Sequence, residues 1–240
     1  MENLFWPDLS QRLEHDERID DPSFSGEELQ RVVRHFRWIN RWFGNYRQTR
    51  RAVLKIVQEL PKNAEIHIVD VGCGGGDLMC HLQQRLQKQG YTVRFTGIDQ
   101  NPNMIQLAKH SVCNPQSFSW IKESVFDDPI EMPKCQLLIS SHFMYRLNKD
   151  EWSHVLSRWQ KNVSHGMVFS ELRRSRLSYG LFYLFSAIAF PRGTTRSDGL
   201  LAIRRAYRTG EVEPLLADMP GASVRRTPWF RQIIVVPSAA

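Results

Sequence analysis

The sequence has few cysteines, and none of the four stands in a metal-binding pattern. Cys73, Cys80, Cys113 and Cys135 show no CxxC or Cys/His ligand spacing. Neither a zinc site nor a disulfide framework is therefore expected. The sequence predicts reduced thiols, no metal ion and a cytoplasmic protein.

Long hydrophobic runs are also missing. The longest, LSYGLFYLFSAIAF at residues 177–190, has 14 residues, fewer than the roughly 20 that a transmembrane helix requires. Residues 1–16 carry acids and a proline where an export signal would need a basic start and an apolar centre. We expect neither a transmembrane helix nor an export signal.

Acidic residues are scarce late in the chain. Residues 173–208 contain eight arginines and a single acid, Asp198, within a chain of net charge +7. Such a charge is compatible with a nucleic acid, a membrane surface or an acidic substrate, and by itself it does not choose among them.

The length of 240 residues and the hydrophobic content of 42% indicate one α/β domain with added segments. Residues 1–62 are predicted to form an N-terminal arm and a helical cap, in which Ser25 and Glu28 have the spacing of a capping box. Residues 63–240 are predicted to form the main domain. Within it, residues 173–220 are predicted as a helical insertion, called the lid insertion below.

From residue 65 onward, short apolar runs alternate with amphipathic helices, which is typical of βαβ units and a mostly parallel sheet with helices on both faces. The last two predicted strands are close enough to pair as an antiparallel hairpin. The seven predicted strands lie at 66–71, 92–98, 118–121, 136–141, 167–172, 223–228 and 232–236.

The stretch IVDVGCGGGDL at residues 68–78 places a glycine-rich loop between a strand and a helix, where a ligand can approach the backbone closely. A dinucleotide fingerprint GxGxxG fails in both registers, because Asp77 or Met79 stands at the third glycine position. What remains is the pattern Asp70-x-Gly72-x-Gly74-x-Gly76. A second strand ends on Asp99, whose carboxylate can accept two ribose hydroxyls.

These two motifs resemble those of the class I S-adenosylmethionine-dependent methyltransferases, which have a Rossmann-like seven-stranded sheet. The resemblance implies S-adenosylmethionine as cofactor and S-adenosylhomocysteine as product. It implies that Gly72, Cys73 and Gly74 line the methionine part and that Asp99 holds the ribose. Asp70 would fix the loop or contact the amino group. Three further positions are implied to lie near the cofactor, namely Gln100, Met104 and Ser140.

The adenine contact departs from the family pattern. An acid is common in the family at the position that Ser124 occupies here, with Val125 and Phe126 beside it. Glu123 or Asp127 could substitute for that acid.

The segment after the fourth strand reads LLISSHFMYRL and lacks both the N/D-P-P-Y/F motif of exocyclic-amine methyltransferases and the Pro-Cys of cytosine-C5 enzymes. Nucleic acid is therefore not expected as the acceptor. Three stretches, beginning at Glu28, Ser140 and Ser170, look like a bacterial small-molecule branch near the ubiquinone- and menaquinone-type enzymes, often associated with polyketide or phenolic-lipid biosynthesis. Where that branch often has a His-His pair, this chain has Tyr145-Arg146.

An O-acceptor such as a phenol must lose a proton, and a histidine suits that task. His142, just beyond a strand's carboxyl end, is the candidate base; the alternative is a histidine that only binds loop backbone. Tyr145 and Glu171 are candidate pocket residues. The lid insertion carries aromatic side chains that suit an aromatic or lipid-like acceptor, and Arg204 and Arg205 are available for an anionic group. The aromatic residues are Tyr179, Phe182, Tyr183, Phe185 and Phe190. Of the insertion's residues, Tyr179, Tyr183 and Arg204 are the candidate contacts.

The sequence thus predicts a methyltransferase acting on a small molecule, with O-methylation of a phenolic or polyketide-type hydroxyl as the hypothesis. The alternatives are C- or N-methylation of a quinone- or lipid-like acceptor, an NAD-linked oxidoreductase, and a non-catalytic binding protein. The lid helix could also pack on the domain or contact a membrane surface peripherally.

Overall fold

Seven strands form one sheet in the computed structural model, which describes residues 7–112, 114–124 and 132–238. They follow the order β3-β2-β1-β4-β5-β7-β6, with β7 antiparallel to β5 and β6 and the others parallel. The predicted Rossmann-like sheet and its terminal hairpin are confirmed. The strands are β1 (Glu65–Val71), β2 (Thr92–Ile98), β3 (Phe118–Ile121), β4 (Cys135–Ser141), β5 (Val163–Leu172), β6 (Ser223–Thr227) and β7 (Arg231–Pro237).

Helices cover both faces of this sheet because the central strands are apolar on both sides. In β1, Ile66 and Ile68 pack with α2 and α3, whereas Val69 and Val71 share a core with α5. The helices are α1 (Gly26–Trp42), α2 (Asn45–Val57), α3 (Asp77–Gln87), α4 (Pro102–Ser111), α5 (Lys149–Gln160), α6 (Arg176–Ala189), α7 (Thr194–Arg205) and α8 (Thr209–Val212).

The N-terminal helices differ from the prediction in one local detail. Ser25 is the N-cap of α1 but makes no side-chain cap hydrogen bond, so the predicted capping box is wrong. Glu28 Oε1 instead accepts a hydrogen bond from Thr194 Oγ1 of α7 at 2.6 Å. Val53 of α2 packs in the same core as β1. The division of the chain at residue 62 stays a prediction.

The N-terminal arm, residues 7–24, lies against the lid insertion and is held there by arginines. Arg174 Nε and Arg208 Nη2 both donate to Leu9 O, at 3.1 and 2.6 Å. In the other direction, Arg12 Nε of the arm donates to Arg205 O of the lid insertion at 2.8 Å. Much of the late basic charge therefore serves to hold the arm. In the described part of the chain, no helix has the length and apolarity needed to cross a membrane.

Candidate functional site

A cavity of about 730 Å³ opens at the carboxyl ends of β1, β2 and β4. Asp70, Asp99 and Ser141 reach it from these strand ends. Helices α1, α6 and α7 and the N-terminal arm contribute the other walls. A cavity at this edge of a parallel sheet, with α3 beginning beside it, is where doubly wound α/β proteins bind ligands.

The glycine loop forms one wall of the cavity. Gly72, Gly74 and Gly76 have φ values of 68°, 51° and 71°, in the left-handed region that favours glycine. At Gly72 a Cβ would lie 2.7 Å from the Phe143 ring, while at Gly74 it would meet nothing within 4 Å. Gly72 is therefore required by packing, and Gly74 leaves the backbone open to a ligand.

Three carboxylates surround this loop, of which Asp70 is buried and Asp77 and Asp99 are half-buried. Asp99 accepts hydrogen bonds from Gly74 N at Oδ2 and from Asn101 N at Oδ1, both at 2.9 Å. Asp77 Oδ2 accepts a hydrogen bond from the Tyr46 hydroxyl. Burial, with the nearby charges of Asp77 and Asp99, raises the pKa of Asp70 well above its ordinary value. Burial also raises the pKa of Asp99. A cationic ligand would relieve this concentration of negative charge.

Most of the other predicted cofactor residues also lie at the cavity, namely Cys73, Gln100, Met104 and Ser124. Glu123, one proposed substitute for the missing acid, lines it too. Ser140 is not among the described residues that line it, because its hydroxyl donates to Val71 O at 2.6 Å and joins β4 to β1. Val125, Phe126 and Asp127 lie outside the described residues.

The N-terminal arm adds two carboxylates that the sequence motifs do not reveal. Glu17 and Asp20 line the cavity and contact Arg146 at 3.1 and 2.6 Å, while Arg205 contacts Asp20 at 2.8 Å. Burial raises the pKa of Glu17 to about 7. Arg146 and Arg205 stand 126 and 185 positions from Asp20. No local pattern in the sequence could therefore have indicated this ion cluster.

A second polar group, around Arg231, also lines the cavity. Arg231 is only 3% exposed. Its Nη2 donates to Asn45 Oδ1 at 2.8 Å and to Ser170 Oγ at 3.1 Å. Its Nη1 lies 3.0 Å from His142 Nε2. Asn45 Nδ2 also donates to Ser141 Oγ at 2.8 Å. Within the described residues, Arg231 has no carboxylate within 4.0 Å.

His142 lines the cavity, as predicted for a candidate base, but its environment weakens its basicity. Burial and the charges of Arg231 and Arg146 lower its pKa well below the ordinary value. Since a guanidinium can only donate, Nε2 of His142 accepts the hydrogen bond from Arg231 and carries no proton. The residue has φ 58°, an uncommon value for a non-glycine residue.

Glu171 and Tyr145 have different places relative to the cavity. Tyr145 lines it. Glu171 is absent from the described lining: its Oε1 accepts from the backbone N–H groups of Phe143 and Met144, both at 3.1 Å. Burial raises the pKa of Glu171 to about 7. Glu171 therefore holds the turn that follows His142.

Only some of the lid-insertion side chains that were expected to suit the acceptor line the cavity. Phe182 and Phe185 of α6 line the cavity, whereas Tyr179, Tyr183 and Arg204 do not occur in its described lining. Tyr179 faces the arm and packs with Leu9, because a helix turns about 100° per residue and only one of its faces can meet the cavity. Tyr183 stacks on Tyr179 with 6.4 Å between ring centroids.

No group of three His, Cys, Asp or Glu side chains close enough to hold a metal ion occurs in residues 7–112, 114–124 or 132–238. The described lining of the cavity offers carboxylates from the glycine-loop region and the arm, together with arginine, histidine and aromatic side chains.

Comparison with known proteins agrees with this geometry. Residues 68–166 match the family model of a methyltransferase domain, which includes the glycine loop, Asp99 and His142. The predicted resemblance to methyltransferases is thereby confirmed. No curated protein matches the sequence significantly.

Several solved structures share the fold at low identity. The plantazolicin methyltransferase BpumL in complex with SAH (S-adenosylhomocysteine) has 12% identity, coverage of 92% of this chain and 94% of that one, and a TM-score of 0.66. Magnesium protoporphyrin IX methyltransferase from Synechocystis PCC 6803 with bound SAM (S-adenosylmethionine) has 15% identity, coverage of 92% and 88%, and a TM-score of 0.53. Human N-acetylserotonin methyltransferase in complex with SAM has 16% identity, coverage of 89% and 66%, and a TM-score of 0.54.

Proposed function

We propose that this chain, whose residues 68–166 match the family model of a methyltransferase domain, transfers a methyl group from S-adenosylmethionine to the hydroxyl of a phenolic or polyketide-type small molecule. The observation that carries the proposal is the open loop at Gly74, fixed by Asp99 and set among carboxylates that are buried or half-buried. An open backbone suits close approach of a ligand, and the carboxylates suit a cation. S-Adenosylmethionine carries both a sulfonium and an ammonium group.

The residues around the loop fit this cofactor. A carboxylate has about four acceptor sites, and Asp99 uses two of them for backbone N–H groups. We propose that the other two accept the ribose hydroxyls and that Asp70 faces the amino group. Gly72, Cys73 and Gly74 would line the methionine part. Four side chains are proposed to surround the adenine, namely Gln100, Met104, Glu123 and Ser124.

The remaining part of the cavity supports an aromatic or lipid-like acceptor. Its walls include Phe36, Phe43, Phe182 and Phe185, and small-molecule sites are mostly apolar with a few placed polar groups. A volume of about 730 Å³ lies within the usual range for such sites. The solved structures are named for very different acceptors, so their names do not indicate whether this chain methylates oxygen, nitrogen or carbon.

The Arg231 and His142 pair supports an acidic hydroxyl as acceptor. When bound, S-adenosylmethionine supplies an electrophilic methyl group on a positively charged sulfur. Moving a proton from a phenol of pKa about 10 to a base with a pKa below 6.5 costs roughly 5 kcal/mol or more. A buried guanidinium next to the acceptor oxygen offsets part of this cost, because it stabilises the oxyanion. We propose that Arg231 Nη1, which contacts His142 Nε2 in this structure, turns to hold the acceptor oxygen, and that Nε2, then no longer accepting from Arg231, takes the hydroxyl proton.

Two measurements test the proposed function in sequence. Titration calorimetry with S-adenosylhomocysteine and with NADH should show binding of the first and none of the second. Transfer of a labelled methyl group to a panel of alkylphenols, alkylanilines and quinols should then favour the phenols. If neither form of the methionine-derived cofactor binds, the proposal is wrong. If anilines or quinol carbons are methylated in preference, the cofactor assignment stands and O-methylation is wrong.

A further inference from the structure

The exposed large hydrophobic side chains of the described residues occur on only two helices and one turn. They are Trp38, Trp42, Leu177, Leu181, Leu184, Ile188 and Trp229. Ring contacts join these elements: Trp38 of α1 stacks on Phe185 of α6 at 5.9 Å, and Phe43 meets Phe185 at 5.3 Å and Trp229 at 5.4 Å between centroids. We call the surface formed by these seven residues the apolar face.

The outward side of α6 has the wrong polarity for a helix facing water. Leu177, Leu181, Leu184 and Ile188 are spaced by four, three and four positions, which puts them on one side of the helix. Their exposed fractions are 62%, 51%, 55% and 86%. The buried side of the same helix includes Ser178 and Ser186. A solvent-facing helix surface is normally polar, so this stripe indicates contact with something apolar.

The apolar face borders the mouth of the cavity. Leu181 and Trp229 belong to the face and also line the cavity, together with Phe43 and Phe185 beneath them. A molecule with an apolar tail could therefore pass from whatever covers this face into the cavity without crossing water.

Basic residues predominate on the segments that carry the apolar face. These segments, residues 31–51, 173–197 and 221–238, contain fifteen arginines and no aspartate or glutamate. Two of the arginines, Arg174 and Arg231, are buried and do not contribute to this surface. Exposed arginines on these segments include Arg41, Arg176 and Arg192. Tryptophan and arginine around an apolar helix stripe are the composition that binds the interface of an anionic bilayer.

We propose that the apolar face docks on an anionic membrane surface and that the acceptor, an amphiphilic phenol with an apolar tail, enters the cavity from the bilayer. A second copy of this chain is the less favourable occupant, because pairing two such faces would oppose arginines to arginines. The docking follows from the surface alone. The route of the acceptor rests on the proposed methyl transfer.

Vesicle cosedimentation of the full chain tests the docking. Wild-type protein should bind phosphatidylcholine vesicles containing about 30% phosphatidylglycerol at least about tenfold more tightly than pure phosphatidylcholine, and salt should weaken the binding. The double variant Leu184→Glu/Ile188→Glu, at exposed positions outside the described cavity lining, should lose about tenfold or more. The matched control Gln84→Glu/Gln87→Glu adds the same charge on the exposed side of α3 and should bind like wild type.

Three outcomes would overturn the docking proposal. One is absence of wild-type binding to the anionic vesicles, and another is equal binding by both double variants. The third is a wild-type dimer in sedimentation velocity that only the Leu184→Glu/Ile188→Glu variant dissociates, which would make a second copy the occupant. S-Adenosylhomocysteine calorimetry on the same samples separates the two proposals: lost cofactor binding with intact vesicle binding would refute the methyl transfer and leave the docking standing.

Discussion

Replacing Asp99 by alanine is the most direct perturbation of the candidate cofactor site. The substitution removes an acceptor from two backbone N–H groups, those of Gly74 and Asn101. It also removes the two acceptor sites proposed for the ribose hydroxyls. A hydrogen bond to a charged group contributes about 1.5–3 kcal/mol, so losing both ribose contacts should cost roughly 3–6 kcal/mol of binding free energy.

In affinity, this loss corresponds to a dissociation constant for S-adenosylhomocysteine about 10²- to 10⁴-fold higher than that of the wild type. Asp99→Asn keeps one oxygen acceptor and should lose about half of that free energy, or about 10- to 10²-fold in affinity. Titration calorimetry measures both values.

The matched control is Asp150→Ala, which removes an exposed carboxylate at the first turn of α5. It should leave the affinity unchanged. Circular dichroism should show that all three variants are folded at the assay temperature. A folded Asp99→Ala protein that binds S-adenosylhomocysteine within about threefold of wild type would refute the reasoning, because the carboxylate would then contribute less than one ordinary hydrogen bond.

Three further predictions concern the glycine loop, the pair of His142 and Arg231, and Glu171. Gly72→Ala should lower the free energy of unfolding by about 1–3 kcal/mol, whereas Gly74→Ala should chiefly weaken cofactor binding. Chemical denaturation measures the first effect and calorimetry the second. Equal losses of stability and of cofactor affinity in the two variants would contradict the geometry. His142→Gln keeps an acceptor for Arg231 but removes the proposed base, so it should slow methyl transfer to an alkylphenol; a wild-type rate would show that His142 is no base. Arg231→Gln should lower the same rate more than Arg231→Lys, which keeps the positive charge. Burial raises the pKa of Glu171 from 4.5 to about 7. The protonated form therefore stabilises the fold below pH 4.5, and that contribution is lost as pH rises through 7. Relative to wild type, the free energy of unfolding of Glu171→Gln should increase by roughly 3 kcal/mol between pH 4 and pH 8, as measured by urea unfolding.

The glycine loop and Asp99 could be predicted because both parts of the motif are local. A strand, a bare turn and a helix N-terminus follow one another within eleven residues, and the neighbouring strand ends on an acid. Parallel strands bring their carboxyl ends to one edge, so the two motifs meet whatever the rest of the chain does. The seven strands were predictable for a similar reason, since each strand's apolar pattern reflects burial on the sheet.

The lid insertion shows why its individual contacts could not be predicted. The sequence indicates an aromatic helix, but the face of α6 that meets the cavity depends on how the helix is rotated against α1 and α7. Phe182 and Phe185 therefore face the cavity, whereas Tyr179 packs against the arm. The sequence makes Arg204 and Arg205 available for an anionic group. Arg205 lines the cavity but contacts Asp20 of the arm, and Arg174 also contacts the arm.

The sequence by itself thus determined the class of fold, the position of the glycine loop and the acid at the end of the neighbouring strand, Asp99, because these features depend on short-range order along the chain. The tertiary structure alone decided which charges meet. It brought Glu17 and Asp20 to Arg146 and Arg205 across more than a hundred positions, and it set Arg231 against His142, 89 positions away. Such pairings depend on the packing of distant elements, and a pKa depends on that packing as well, since it responds to burial and to nearby charge.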